Sequence, residues 1–511
     1  MEDKILMILE VSRKQDYIFG SKKLRENTAR SADINFATSD RLFQIAAGEV
    51  YDTGRNFVYA GGGHSVLGFA DRGQAREFAT RVTEYVMRKY NGLEMFVAIS
   101  EEQNGIPGER LKKLSEELEK KKSRRKDSFQ RMRFGLESLV STEEEDEALK
   151  KVRKNYENTM EAGRFLGENV GTWMFPTVFD ELQCDLAKDR GIDDNFIAVI
   201  HVDGNAMGSR VSKIYDKYQT NFEEAARGLQ RFSEGIQRDF ETAFGEMVKT
   251  VIRMGHSSSV LPLRPVILAG DDVCFVTAGS IGLECARVFM EELAKLKNAE
   301  DGMQYASCAG VVMVHRKYPF HRAYEMAEEL CSSAKKYGTV LNENGEVSAI
   351  DWHIEFGQLK DSLADIRRDY VAEDGCRMEL RPYVVLAPGE KKPDACREYE
   401  FFREMCGLLQ ENREQFARGK MKEWRDALRQ GGLESRLYLH RRESSDILYH
   451  AFAAMYRSRN ERMKQYERIL MEGQSIKKEA FLESAGEKHC LFFDAIEAMD
   501  HIVLFEEAQD A

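Results

Sequence analysis

Two stretches of this chain repeat one grammar, and the repetition limits the fold more than any other feature. In the first, the apolar run KILMILEV at residues 4–11 gives way to polar RKQD and then to a helical pattern through YIFGSKKLRENTARSADINFATSDRLF. Two β-rich runs around a glycine cluster follow (FVYAGGGHSVLGFA), then a helix near 73–90 and a strand in LEMFVAIS. From residue 195 the order returns: strand NFIAVIHVD, a helix opening at GNAMGSRV and extended by the amphipathic stretch 221–253, hairpin PVILAGDDVCFVTA, helix GLECARVFMEELAKL and strand YASCAGVVMVH. The shared order is β-α-β-β-α-β. Its period far exceeds that of solenoid repeats, so two fused domains packed as a pseudo-dimer are expected, not a stacked array.

What surrounds the copies differs in texture. Residues 101–190 carry charged stretches such as ERLKKLSEELEKKKSRRKDSFQRMRF, read as exposed helices whose solvated faces hold i,i+4 pairs; contact of a basic helix with RNA is the sharper alternative. The stretch from about 390 to 511 reads as a small helical domain with Met and aromatic stripes in its core. The expected boundaries are a first domain at 1–100, a charged helical insertion at 101–190, a second domain at 191–388 and a helical domain at 389–511.

A net charge of −12 argues against a protein that coats nucleic acid over its whole surface. The nine Cys are spread singly with no C-x-x-C pair, which speaks against a disulfide framework or a structural zinc site and suits a reducing, cytoplasmic setting. The N-terminal apolar run is too short for a signal peptide, and no window approaches the roughly 18 apolar residues of a membrane span, so no membrane association is expected.

The strongest chemical feature is Asp203 at the end of an apolar strand, with Asp271-Asp272 in a tight hairpin turn 69 residues later. Paired Mg²⁺ or Mn²⁺ ions need several hard oxygen ligands, and adjacent strand ends deliver them where a phosphate can enter. Gly270 permits the turn and leaves room for a nucleotide, while Gly204 and Gly208 flank a strand-to-helix junction whose free amides could hold phosphates. Gly-Asp-Asp alone is ordinary turn chemistry; Asp203 makes the three acids a candidate site. Aligning the copies sets Val11-Ser12 against Val202-Asp203 and Ala60-Gly61-Gly62-Gly63 against Ala269-Gly270-Asp271-Asp272. The first copy then lacks the acids, and one active centre per chain is expected.

The stretches YIFGSKKLREN, HVDGNAMG, LAGDDVCFV, GVVMVHRKYPFHRAYEMAEELCSSAKKYG and SAIDWHIEF followed by RPYVV resemble the large polymerase/cyclase subunit of type III CRISPR effectors, Cmr/Csm-type, over roughly residues 5 to 385. The resemblance implies an α+β fold: two ferredoxin-like palm domains of nucleotidyl cyclase/polymerase type packed as a pseudo-dimer, plus a helical insertion and a C-terminal helical domain. It implies that Asp203, Asp271 and Asp272 are catalytic and hold two divalent ions, Mg or Mn, and that ATP molecules are joined with release of pyrophosphate into a cyclic oligoadenylate or cyclic dinucleotide. Nucleotide-binding roles would fall to Gly204, Asn205, Gly208, Gly270 and Lys335 in the second palm and to Ser21, Gly62 and Gly63 in the first, with Ser21 beside Gly20 facing the nucleotide across the pseudo-dimer; Lys336 is a secondary candidate. His64 reads as a pocket-lining or surface histidine, not a base.

The chain departs from that family in beginning directly at the first palm, so an HD nuclease domain and its DNA cleavage are not expected, and in lacking the paired-cysteine zinc element. The turn reads Ala-Gly-Asp-Asp where the family has Gly-Gly-Asp-Asp. Val273 after the acids, where a diguanylate cyclase usually has Glu-Phe, speaks against that enzyme, as do the fused palms. The leading reading is a stand-alone or accessory cyclase making a second messenger in antiphage defence, with self-association as a further option. The alternatives are an effector subunit needing crRNA and type III partner proteins, and a non-catalytic nucleotide-binding scaffold.

Overall fold

A computed structural model of the chain describes residues 4–19, 24–61, 63–90, 92–101, 107–124, 153–154, 161–166, 173–192, 195–218, 222–357, 362–386, 394–411, 418–441, 471–472, 475–476, 479–484 and 486–506. The two copies fold into two sheets. The first is antiparallel, in the order β2-β3-β1-β4, from β1 (Ile5–Ser12), β2 (Phe57–Gly61), β3 (His64–Phe69) and β4 (Glu94–Ile99). The second has the order β10-β9-β8-β5-β7-β6. Its β5 (Phe196–Gly204), β6 (Leu263–Ala269), β7 (Asp272–Ala278) and β8 (Ser307–His315) repeat the first arrangement, while β9 (Ser348–Ile354) runs parallel to β8 and β10 (Tyr383–Leu386) closes the edge. The predicted α+β fold with two palm-type units is thus observed.

The continuous apolar runs of the central strands follow from burial on both faces. Along β1, Ile5, Met7, Leu9 and Val11 join the core with Phe43, Phe78 and Val82, whereas Leu6 and Ile8 point to the other core with Leu111, Leu114 and Leu118. Those three leucines belong to helix Pro107–Ser123, so the helical insertion is not simply a solvated face here: one stripe of this helix covers the open face of the first sheet. Along β5, Ile197 and Val199 enter the core that contains the first palm, and Ala198, Ile200 and Val202 enter the core shared with the C-terminal region. This shared burial joins the halves as the expected pseudo-dimer.

Other expectations change locally. The helical pattern after β1 is split into helices Lys14–Phe19, Leu24–Ala37 and Asp40–Ala47, the last begun by a Ser39 cap accepting from the Leu42 amide. The helix opening at residue 207 ends at Lys217 and a separate helix runs from Phe222 to Arg253. The C-terminal segment contains, besides its helices, a β-hairpin of Phe481–Ser484 with Glu487–Cys490. Most of the charged insertion beyond residue 124, and with it the basic RNA-contact alternative there, lies outside the described residues.

Gly310 on β8 positions the site. A Cβ there would come within 1.9 Å of the Ala327 carbonyl oxygen, so only glycine lets helix Phe320–Leu341 settle onto the sheet. That approach brings Tyr324 and Lys335 of the helix over β5.

Candidate active site

Asp203, near the end of β5, pairs in register with Asp272, the first residue of β7. Asp272 also pairs with Ala269 of β6, which leaves Gly270-Asp271 as a two-residue turn. Gly270 has φ 68°, a conformation natural to glycine, and its amide donates to Gln237 Oε1 at 2.7 Å. The Gly204 amide donates to the Asp271 carbonyl at 3.2 Å, and a Cβ on Gly204 would lie 2.9 Å from that of Asp271. Backbone sterics therefore bring the three acids to adjacent strand ends.

Their charges are poorly accommodated without a cation. Burial, reinforced by the Asp203 carboxylate, pushes both Asp271 and Asp272 up to about 6. Asp272 Oδ1 is buried with no hydrogen-bond partner, 3.6 Å from His201 Nδ1. Lys335 Nζ stands between Asp203 Oδ2 at 2.5 Å and the Gly204 carbonyl oxygen at 3.2 Å. An ammonium thus gathers a carboxylate and a carbonyl, the hard oxygens a divalent ion prefers. As placed, no three His, Cys, Asp or Glu side chains among the described residues close into a metal-binding group. The donor chemistry, the orphaned carboxylate oxygen and the stand-in ammonium nevertheless fit Mg²⁺ or Mn²⁺ held by Asp203, Asp271 and Asp272.

The remaining sequence candidates fall as follows. Gly208 lies in the first turn of helix Met207–Lys217 with open space around it, behind Ala206 at φ 58°, where no side chain caps the helix. Asn205 is committed to the fold: its amide donates to the Ala306 carbonyl and its Nδ2 to the Val347 carbonyl, both at 2.8 Å. Gly63, at φ 78°, lines a cleft between the palms with Lys14, Gln15 and Asn35 of the first and Asp271 and Asp272 of the second. Lys336 is exposed. Gly20, Ser21 and Gly62 lie outside the described residues.

The register revises the alignment of the two copies. The first hairpin closes on Gly61 opposite His64, and His64 in turn pairs with Glu10 on β1. Glu10 and His64, not Ser12 and Gly63, therefore occupy the places of Asp203 and Asp272, and Gly63 takes that of Asp271. The first copy still differs from the second in chemistry: Glu10 is neutralised by Lys122 of the insertion helix at 2.9 Å, and burial holds His64 down at about 4, against the Tyr59 hydroxyl. Sequence reasoning missed His201, detectable as the one polar residue inside the apolar run NFIAVIHVD.

Residues 196–341 match the family profile described as Cas10/Cmr2, second palm domain. This segment resembles a Cas10/Cmr2 second palm. The profile spans the strand of Asp203, the Gly270-Asp271-Asp272 turn and Lys335, so every described site residue of the second copy lies within the matched segment. Among solved structures, the Csm1-Csm4 cassette in complex with cA3 has a chain matched at 15% identity and TM-score 0.52 over 98% of this chain and 69% of its own length. The cassette in complex with one ATP matches at 15% identity and TM-score 0.51, over 98% and 70%. Against the apo cassette the chain spans about half of the matched partner, 54%, at 16% identity over 68% of this chain and TM-score 0.44. No curated protein matches the chain. Among the described residues, no helix is long and apolar enough to cross a membrane.

Proposed function

We propose that the chain is a nucleotidyltransferase that joins ATP molecules into a cyclic oligoadenylate or cyclic dinucleotide. The single observation that carries this reading is the cross-strand pair of Asp203 with Asp272, Asp271 in the adjoining turn, at a cleft between two palms. In the reaction the 3′- or 2′-hydroxyl of one ATP forms a bond to the α-phosphorus of another. The bond from that phosphorus to the bridging oxygen of the β-phosphate breaks, pyrophosphate leaves, and the hydroxyl proton passes to solvent. When bound, Mg²⁺ or Mn²⁺ supplies charge neutralisation on the phosphates and lowers the hydroxyl pKa. Asp203, Asp271 and Asp272 would hold the cations. Lys335, displaced from Asp203, is within reach of the triphosphate as a point charge. No protein nucleophile is needed.

Gly63 keeps a side chain out of the cleft, and the first palm, its Glu10 already balanced by Lys122, provides a wall and not a second centre. The second-palm match, together with a fold shared with Csm1-Csm4 cassettes, supports a place as the large subunit of a type III CRISPR effector, acting with crRNA and partner chains, ahead of the stand-alone enzyme. Cassettes in complex with cA3 and with ATP are matched at fold level, and this supports adenine nucleotides as substrate and product class.

The test is incubation of the purified protein with each NTP and Mg²⁺ or Mn²⁺, with mass spectrometry of products and of any co-purifying RNA. Conversion of ATP to linked adenylates with pyrophosphate is expected. ATP returned intact, both by the protein alone and by the protein assembled with guide RNA, target RNA and its partner chains, would refute the proposal.

A further inference from the structure

His201 sits on β5 two residues before Asp203, opposite Cys274 and Gly310, and is 5% exposed. Its Nδ1 faces two oxygens. One is Asp272 Oδ1 at 3.6 Å, buried and lacking any hydrogen-bond partner. The other is the Tyr324 hydroxyl oxygen at 3.3 Å, with the phenol ring edge-on to the imidazole. Tyr324 is in turn held from the first palm. Phe19 stacks on it with centroids 3.9 Å apart and planes at 27°, and the Gln15 side chain hydrogen-bonds its oxygen. An unbroken run of contacts therefore leads from helix Lys14–Phe19 of the first palm, through Tyr324 and His201, to one oxygen of a carboxylate in the second.

We propose that His201 is a positioning residue for Asp272: its Nδ1–H donates to Asp272 Oδ1 when the site is loaded, leaving Oδ2 for the cation, with Tyr324, braced by Phe19 and Gln15, fixing the ring. The inference rests on the metal-binding reading above. Both oxygens facing Nδ1 can accept, and this favours the tautomer with the proton on Nδ1. A small closure of the 3.6 Å gap completes the bond and removes the cost of an orphaned buried oxygen. Ligating carboxylates are commonly oriented by such outer hydrogen bonds, whose loss costs about 10–100-fold in metal affinity. The first palm, with Glu10 and His64 in the places of Asp203 and Asp272, would in this way help to shape the second palm's centre.

The experiment is titration of the intact protein with Mn²⁺, following free Mn²⁺ by electron paramagnetic resonance, for wild type, His201→Leu, His201→Asn, Tyr324→Phe and Asp272→Asn, with thermal melts on each. His201→Leu is expected to weaken Mn²⁺ binding by about tenfold or more, while His201→Asn, whose amide nitrogen takes the place of Nδ1, stays within about threefold of wild type. Tyr324→Phe, which keeps the stack on Phe19, is expected to lose about threefold by loosening the ring. Asp272→Asn with weakened binding beside His201→Leu with wild-type binding would overturn the positioning role and leave the site standing; no effect of Asp272→Asn would overturn the site itself. Equal losses in the Leu and Asn variants would reduce His201 to a packing residue and also overturn the proposal. If His201→Leu does not fold, Tyr324→Phe decides: unchanged affinity contradicts the inference.

Discussion

Asp203 and Asp272 stand directly opposite each other on neighbouring strands, two carboxylates in one cross-strand pair. Like charges in that relation destabilise a sheet. The fold tolerates them because Lys335 lies on Asp203 and because the raised affinity of Asp271 and Asp272 for protons lets each discharge near pH 6. A cluster of acids arranged at the expense of stability, with the Lys335 amine against one of them, makes several measurable statements.

The first concerns pH. Asp271 and Asp272 are raised from 3.8 to about 6 in the fold, so between those values the folded chain holds more protons than the unfolded one, and their contribution to stability falls as pH rises through that window. Above pH 6 the full cost is present. Asp271→Asn and Asp272→Asn are therefore expected to stabilise the metal-free protein at pH 7.5 by on the order of 1 kcal/mol each, after discounting for partial exposure, and by little at pH 4. Chemical denaturation at the two pH values checks this; equal effects at both would contradict it.

Magnesium or manganese should raise the melting temperature of wild type at pH 7.5 and much less at pH 5, where protons already occupy the acids, and should not raise that of the Asp271→Asn, Asp272→Asn double variant. Differential scanning fluorimetry with and without the ion is sufficient.

Lys335 has two expected signatures of opposite sign. Lys335→Gln removes the ammonium that competes for Asp203 and the Gly204 carbonyl, so Mn²⁺ binding without nucleotide should tighten. The same change removes a charged partner for the triphosphate, so the KM for ATP should rise by about tenfold, the scale of a lost hydrogen bond to a charged group. Both are read by titration and steady-state kinetics; a fall in both affinities would contradict the stand-in role.

Much of this was legible in the sequence. The duplication showed because each copy buries both faces of its central strand, so that apolar runs such as ILMILEV and FIAVI stand out against charged helices. The second hairpin showed because a two-residue turn needs Gly270. The offset between copies did not: Ala60-Gly61-Gly62-Gly63 resembles Ala269-Gly270-Asp271-Asp272 letter by letter, but alignment is set by which residues close the hairpin, Gly61 with His64 and Ala269 with Asp272. Nor did the covering role of Leu111, Leu114 and Leu118 show, since the charges around them outnumber that stripe. The ion pair of Lys335 with Asp203 spans 132 residues and depends on Gly310 letting a helix approach, which no local pattern reports.

Gly204→Ala probes the backbone that sets Asp271. Its new methyl would meet the Asp271 Cβ at 2.9 Å and the Met207 Cε at 2.7 Å, so one of them must move. A stability loss of about 1–3 kcal/mol with a disproportionate loss of product is expected. Wild-type turnover in a stable variant would show that Asp271 needs no such placement.

The central claim is that these three carboxylates perform the chemistry. Pyrophosphate release from ATP with Mn²⁺, measured for wild type, Ser12→Ala and the Asp271→Ala, Asp272→Ala double variant after circular dichroism has shown each to be folded, tests it most directly. The account predicts release by wild type and Ser12→Ala and none above background by the double variant; undiminished release from the double variant would contradict it.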